Sequence, residues 1–199
     1  VLTFLAVSSI ALMSSLPQGQ SRGQSRIPIS GYRVVHTYPH DPEAFTQGLV
    51  YRDGVLYEGT GLNGRSSIRK VKLENGEVLQ IQAVDSQYFG EGIAVVNDTI
   101  YELTWQSGIG FLYDRATFKR KGTFTYRGEG WGLTYDGQRL IMSDGTPFLR
   151  YLDLATQKES SRIEVKDGTT PIVNLNELEF VKGEVLAKIW QTDRIGRIS

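Results

Sequence analysis

AFTQGLVYRDGVLYEGTG, residues 44–61, is the stretch on which the fold turns. One apolar run leads into Asp53-Gly54 and a second leads out of it. Asp-Gly between two such runs is a strong hairpin signal, because both central residues of the tight turn need positive φ. The arrangement returns in YFGEGIAVVNDTIYELTW (88–105), GEGWGLTYDGQRLIMSDG (128–145) and NLNELEFVKGEVLAKIW (174–190). Their turn pairs are Asn97-Asp98, Asp136-Gly137 and Lys182-Gly183. Aligned on a single residue, Gln47, Glu91, Trp131 and Asn176 share one phase, at spacings of 44, 40 and 45 residues. Downstream of the first two hairpins lie SSIRKVKLENGEVLQIQAV and GIGFLYDRATFKRKGTFTY, each with a turn of its own. Four short strands in about 44 residues is the size of a β-propeller blade. A generic β-sandwich would space its strands irregularly and would give no reason for one phase to recur four times.

Composition agrees with an all-β chain. Among 199 residues there are 22 Gly, 10 Tyr, 8 Phe and 3 Trp, and 40% are hydrophobic, enough for a packed core. The 22 basic and 22 acidic side chains cancel, which argues against an electrostatic nucleic-acid binder. Without cysteine there is no disulfide, no thiolate nucleophile and no Cys-ligated zinc. His36 and His40 are separated by Pro39 and have no third ligand nearby, so no zinc site is expected there.

The chain divides into three parts. Residues 1–13 are apolar or small and read as a signal-peptide-like segment, too short to span a bilayer. Residues 14–28 read as a polar linker. Residues 29–199 read as the propeller domain. The segment 32–40 (YRVVHTYPH) reads as a single leading strand of the kind that closes a propeller's last blade.

The repeat also points to a site. The innermost strand of each blade lines the central channel, so one phase becomes one ring around the axis. Fourteen residues after the aligned positions stand Gly61, Trp105, Gly145 and Trp190. A five-residue strand, a turn and a second such strand return to their starting end, so these residues lie at the same mouth. Phe45 and Phe89, two residues upstream of Gln47 and Glu91, point to the same side. One mouth thus gathers Phe45, Gln47, Phe89, Glu91, Trp105, Trp131, Asn176 and Trp190. Aromatic residues also serve to pack blades together. All three tryptophans at two linked phases, beside a lone acid, describe a ligand pocket better. A carboxyl group held among aromatics is expected to resist ionisation.

Seven motifs in order resemble the plant and bacterial glutaminyl cyclases: FTQGL (45–49), FGEGI (89–93), YELTW (101–105), GWGLT (130–134), SDG (143–145), NELEF (176–180) and IWQTD (189–193). The resemblance runs from residue 32 to the end of the chain. It implies a five-bladed β-propeller, of which this sequence covers about three and a half blades plus the leading strand. A further roughly 50–60 residues, about one and a half blades, are therefore expected beyond Ser199. It also implies a glutaminyl-peptide cyclotransferase, which turns N-terminal glutamine into pyroglutamate and releases ammonia. Glu91 would be its proton shuttle. Phe45, Gln47, Phe89, Trp105, Trp131, Asn176 and Trp190 would bind the substrate. No cofactor is required for this reaction, and a structural calcium ion is left open. The partner is a peptide or protein beginning with Gln, with no nucleic acid and no membrane span, and the protein is expected to be a secreted or periplasmic monomer. Lys188 stands where the family has Asn, and its charge is expected to flank the pocket or pair with a carboxylate. The alternative reading is a non-catalytic propeller that holds a peptide N-terminus in an aromatic-lined mouth. A pure binder has no need of the acid at position 91.

Overall fold

The computed structural model describes residues 27–199, so the signal-peptide-like segment and most of the linker lie outside the described residues. Every regular element among them is a strand. The first blade comprises β1 (Thr46–Arg52), β2 (Val55–Thr60), β3 (Ser67–Lys72) and β4 (Val78–Ala83), hydrogen-bonded in that order. The second comprises β5 (Gly90–Val96), β6 (Thr99–Thr104), β7 (Ile109–Asp114) and β8 (Arg120–Thr125), and the third β9 (Leu133–Tyr135), β10 (Arg139–Met142), β11 (Phe148–Asp153) and β12 (Glu159–Glu164). A small hairpin, β13 (Lys166–Asp167) and β14 (Thr170–Pro171), leads to β15 (Leu175–Val181), β16 (Glu184–Ile189) and β17 (Ile195–Ile198). This is a β-propeller. Its fourth sheet has three strands, more than the half blade expected.

The hairpin turns carry the strain the sequence anticipates. Asp53 and Gly54 both have positive φ (52° and 82°), as do Lys182 and Gly183 (52° and 89°). The third turn departs from the pattern. Tyr135 pairs with Leu140 as Tyr51 pairs with Leu56, so the register is kept. The turn pair is Gly137-Gln138, one residue later than read from the sequence, with only Gly137 left-handed. In the second turn likewise only Asn97 is left-handed. Asp136 Oδ1 stabilises that loop by accepting the backbone N–H groups of Gln138 and Arg139 at 2.8 and 2.6 Å.

The inner strands β1, β5, β9 and β15 follow one another around the axis. Between successive blades lie three apolar cores. Tyr57, Ile68, Ile93, Ile100 and Phe111 fill the first, Leu103, Leu133, Leu140 and Met142 the second, and Ile141, Leu149, Leu178 and Val185 the third. Each such side chain contributes about 1.5–3 kcal/mol on burial, so the seams hold the blades at fixed angles.

Residues 32–40 form no strand, contrary to the sequence reading, and Tyr32, Val34 and Val35 are exposed. An extended segment becomes a strand only through a ladder with a neighbour, and none of the described strands offers one. Its end instead crosses the free face of the first blade. His40 Nε2 lies 2.7 Å from Glu58 Oε1, the Thr46 hydroxyl donates to the same oxygen at 2.5 Å, and Arg69 pairs with Asp41 at 2.7 Å. On that face Glu58 is buried, and its Oε1 takes both the His40 and the Thr46 contacts.

Candidate active site

The repeat phase has a backbone signature. The N–H of Gly61 donates to the carbonyl of Phe45 at 2.8 Å, that of Trp105 to Phe89 at 3.0 Å, and that of Trp190 to Asn174 at 2.9 Å. Each hairpin therefore returns to its own start, and the residues fourteen apart stand side by side at one mouth. Gly61 shows how closely they meet. A Cβ there would lie 2.3 Å from the Phe89 ring and 3.1 Å from Gln47 Cγ, so the missing side chain is the seat of the neighbouring blade's aromatic.

The aromatics form an arc. Phe45 meets Phe89 edge-on with centroids 6.1 Å apart, Phe89 meets Trp105 at 5.6 Å, and Trp131 meets Trp190 at 5.6 Å. Edge-to-face contacts of this kind hold rings at defined angles. The two halves are joined by a residue that the sequence reading passed over. Glu129 Oε2 accepts the indole N–H of Trp105 at 2.7 Å and that of Trp131 at 2.8 Å, while Oε1 accepts Gln106 Nε2 at 3.2 Å. Glu129 stands two residues before Trp131, the phase of Phe45 and Phe89, so the repeat itself contained the signal.

Inside the arc, Glu91 is 5% exposed at the start of β5. Burial pushes its carboxyl up to about 9, with help from the neighbouring acids Glu177 and Glu129. Gln47 Nε2 points at Glu91 Oε1 from 3.4 Å, a long contact that leaves room for adjustment. Glu177 occupies in β15 the phase held by Gly48, Gly92 and Gly132 in the other repeats. Its Oε1 accepts the Leu49 N–H across the channel at 3.1 Å, while Oε2 is enclosed without a partner. Burial raises the Glu177 carboxyl well above its ordinary value. Burial also favours the neutral form of Glu129, but the donors Trp131, Gln106 and Trp105 outweigh it and hold that group ionised at neutral pH.

Five of the eight residues read from the sequence, the aromatics, are thus linked ring to ring or through Glu129, and Gln47 and Glu91 contact each other. Asn176 is placed by its backbone: its carbonyl accepts the Ser143 hydroxyl at 2.8 Å, beside Gly132. Among the described residues its side-chain amide makes no hydrogen bond with protein. Lys188 does not reach a carboxylate. It is half-buried, and its ammonium donates to the Thr192 carbonyl. No group of residues that could hold a metal ion occurs among the described residues, and no helix there is long and apolar enough to cross a membrane.

A family model described as glutamine cyclotransferase matches residues 5–199. The curated glutaminyl-peptide cyclotransferase of Arabidopsis thaliana is 41% identical over 186 residues, which cover 91% of this chain and 58% of that protein. The chain therefore spans less than two thirds of that relative's length. Myxococcus xanthus glutaminyl cyclase, seen in a crystal structure, superposes with a TM-score of 0.77 at 32% identity over 83% of this chain and 70% of that one. A Bacteroides caccae protein of unknown function (TM-score 0.57, 14% identity, 73% of this chain and 56% of that one) shares the fold alone.

Proposed function

The chain belongs to the glutamine cyclotransferase family, and from that membership we propose that its protein is a glutaminyl-peptide cyclotransferase. It closes the N-terminal glutamine of a peptide or protein to pyroglutamate and releases ammonia. The observation that carries this reading is Glu91: a buried carboxyl group, facing the neutral amide of Gln47, at the repeat phase it shares with Trp131.

The chemistry needs one group that both takes and gives a proton. A free α-amine has an ordinary pKa of about 7.7–8.0, so much of it arrives protonated and is not a nucleophile. Burial holds the Glu91 carboxyl at about 9, above the amine. At neutral pH Glu91 therefore already carries its proton, and it is the unprotonated fraction of the amine that binds beside it and attacks. As the amine nitrogen bonds to the side-chain amide carbon, Glu91 gives its proton to the departing nitrogen. It then removes the proton that the new ring nitrogen must lose, and ammonia leaves. Gln47 and Asn176 carry the amides that can receive the developing oxyanion and hold the substrate amide. The indole N–H groups of Trp105 and Trp131 are turned to Glu129, so their rings act as walls that keep water out. Ring closure is intramolecular, and the arc's main task is to hold the chain folded on itself.

The residues act without a cofactor in this scheme, and the partner is a Gln-initiated peptide acted on outside the cytoplasm, in keeping with the apolar segment 1–13. The test is incubation with a Gln-initiated peptide, read by the loss of one ammonia in mass spectrometry, with Glu91→Gln as control. Binding without mass loss in the whole protein would favour the non-catalytic reading.

A further inference from the structure

Glu129 is the one ionised side chain in the arc, and nothing in the proposed chemistry uses it. An indole N–H is a donor only, so each of Trp105 and Trp131 needs an acceptor to fix its plane. Both find it on one oxygen, at 2.7 and 2.8 Å, distances typical of charge-assisted bonds. The two tryptophans come from different blades: Trp105 follows β6, and Trp131 precedes β9. Further backbone bonds run beside this bridge, with Gly130 N–H donating to the Trp105 carbonyl at 2.8 Å and Gly92 N–H to the Trp131 carbonyl at 2.7 Å. Gly92 is the neighbour of Glu91 in β5, so the tether of Trp131 and the backbone of Glu91 belong to one seam.

We propose that Glu129 is a positioning residue of this site: its carboxylate locks the Trp105 and Trp131 rings across the seam between the second and third blades and keeps a fixed negative charge beside Glu91. The charge has a direction of effect. Around Glu91 stand Glu177 from β15, Glu129 from the loop before β9, the Tyr126 hydroxyl after β8 and neutral Gln47 from β1. Burial raises the Glu177 carboxyl well above its ordinary value, whereas the donors to Glu129 lower its carboxyl. Glu129 is then the acid that stays charged, and its field keeps the proton on Glu91. The inference rests on the proposed function only for its kinetic consequence.

Three measurements on the full chain decide it, using Glu129→Gln and Glu129→Ala. The first reads the indole N–H resonances in protein carrying labelled tryptophan. Those of Trp105 and Trp131 are expected to move in both variants, and more in Glu129→Ala, with Trp190 moving least. The second follows the Glu91 carboxyl carbon by NMR titration. Its midpoint, near 9 in the parent, is expected to fall by about one pH unit in Glu129→Gln. The third is the pH profile of cyclisation. Glu129→Gln is expected to move the profile to lower pH while keeping most of its peak rate. Glu129→Ala is expected to lose about a hundredfold in kcat/KM through the freed rings. Unchanged indole resonances overturn the lock, and an unchanged Glu91 midpoint overturns the charge. If the parent does not cyclise peptides, the functional reading fails while the two NMR arms still decide the role of Glu129.

Discussion

β5 and β15 hold the same phase of the repeat and have different fates. Every residue of β5 is buried, whereas β15 alternates between buried and half-buried positions and ends exposed. The cause is their neighbours. β5 lies between β1 and β9, with Gly92 letting the third blade approach so closely that its N–H bonds to the Trp131 carbonyl at 2.7 Å. In β15 the corresponding residue is Glu177, which uses its length to reach the Leu49 N–H across the channel. One repeat position is thus spent on contact and the other on reach. Both strands nevertheless bury an acid whose carboxyl is pushed up by desolvation, Glu91 in β5 and Glu177 in β15.

The sharpest way to break this comparison is to change the acid alone. Glu91→Gln keeps the shape and the hydrogen-bonding capacity but cannot carry a proton. A loss of about 10³-fold in kcat for peptide cyclisation is expected, with far-UV circular dichroism unchanged. Near-normal turnover would move the proton-shuttle role elsewhere. Next in size is the glycine. A Cβ on Gly92 would sit 2.4 Å from the Trp131 carbonyl oxygen and 2.6 Å from the Leu133 nitrogen, both backbone atoms that cannot step aside. Gly92→Ala is expected to cost about 3 kcal/mol in denaturant unfolding. At the same phase of β15, Glu177→Ala removes an acceptor and a buried acid together, and about 1 kcal/mol is expected. Equal losses would mean that the two inner strands are packed alike.

Much of this was legible in the sequence, for a physical reason. Chain-local rules set the turns at Asp53-Gly54 and Lys182-Gly183 and the return of each hairpin to its start, so a phase count reaches Trp105 and Trp190. The bridge through Glu129 was not legible in that way, because two indoles from different blades meet one carboxylate only once the seam between the blades is built. The reach of Glu177 to Leu49 spans 128 positions of sequence and depends on the circular arrangement. The third turn falls at Gly137-Gln138, one residue after the Asp-Gly pair, because Asp136 caps the loop with its side chain instead of taking a left-handed position. Residues 32–40 have the composition of a strand but lack a ladder, and composition alone cannot report a missing neighbour.

The proton held by Glu91 sharpens the comparison through stability. Its carboxyl rises from an ordinary 4.5 to about 9 on folding. Between those values the folded chain binds a proton that the unfolded chain has released, so stability falls as pH rises across that window. Glu91→Gln abolishes this titration. At pH 5 the variant is expected to match the parent closely, and at pH 8 to exceed it by roughly 1–3 kcal/mol. Glu102, raised to about 8, and Glu179, raised to about 7, continue to titrate in both proteins, so both slopes stay negative and the variant's is shallower. Parallel slopes would show that Glu91 ionises freely in the folded state.

The smallest effect separates the two ends of the arc. Trp105 and Trp190 share a phase, with 38% and 47% of their surfaces exposed, but only Trp105 is tied through its indole nitrogen to Glu129. Trp190 touches Trp131 edge-on, and it follows β16, in the sheet that β15 opens. An exposed ring held by one edge contact contributes little to folding, about 0.5–1.5 kcal/mol. Its face toward the channel can still carry substrate. Trp190→Ala is therefore expected to lower stability by less than about 1 kcal/mol and to raise KM about tenfold with kcat nearly kept, which marks lost binding rather than lost chemistry. Trp105→Ala unpairs Glu129 as well, so kcat and KM are both expected to change. Steady-state kinetics at one pH, beside thermal melts, measures all four quantities. A Trp190→Ala protein that melts early but keeps its KM would make that ring a packing residue of the fourth blade and shorten the working arc to Phe45, Phe89, Trp105 and Trp131.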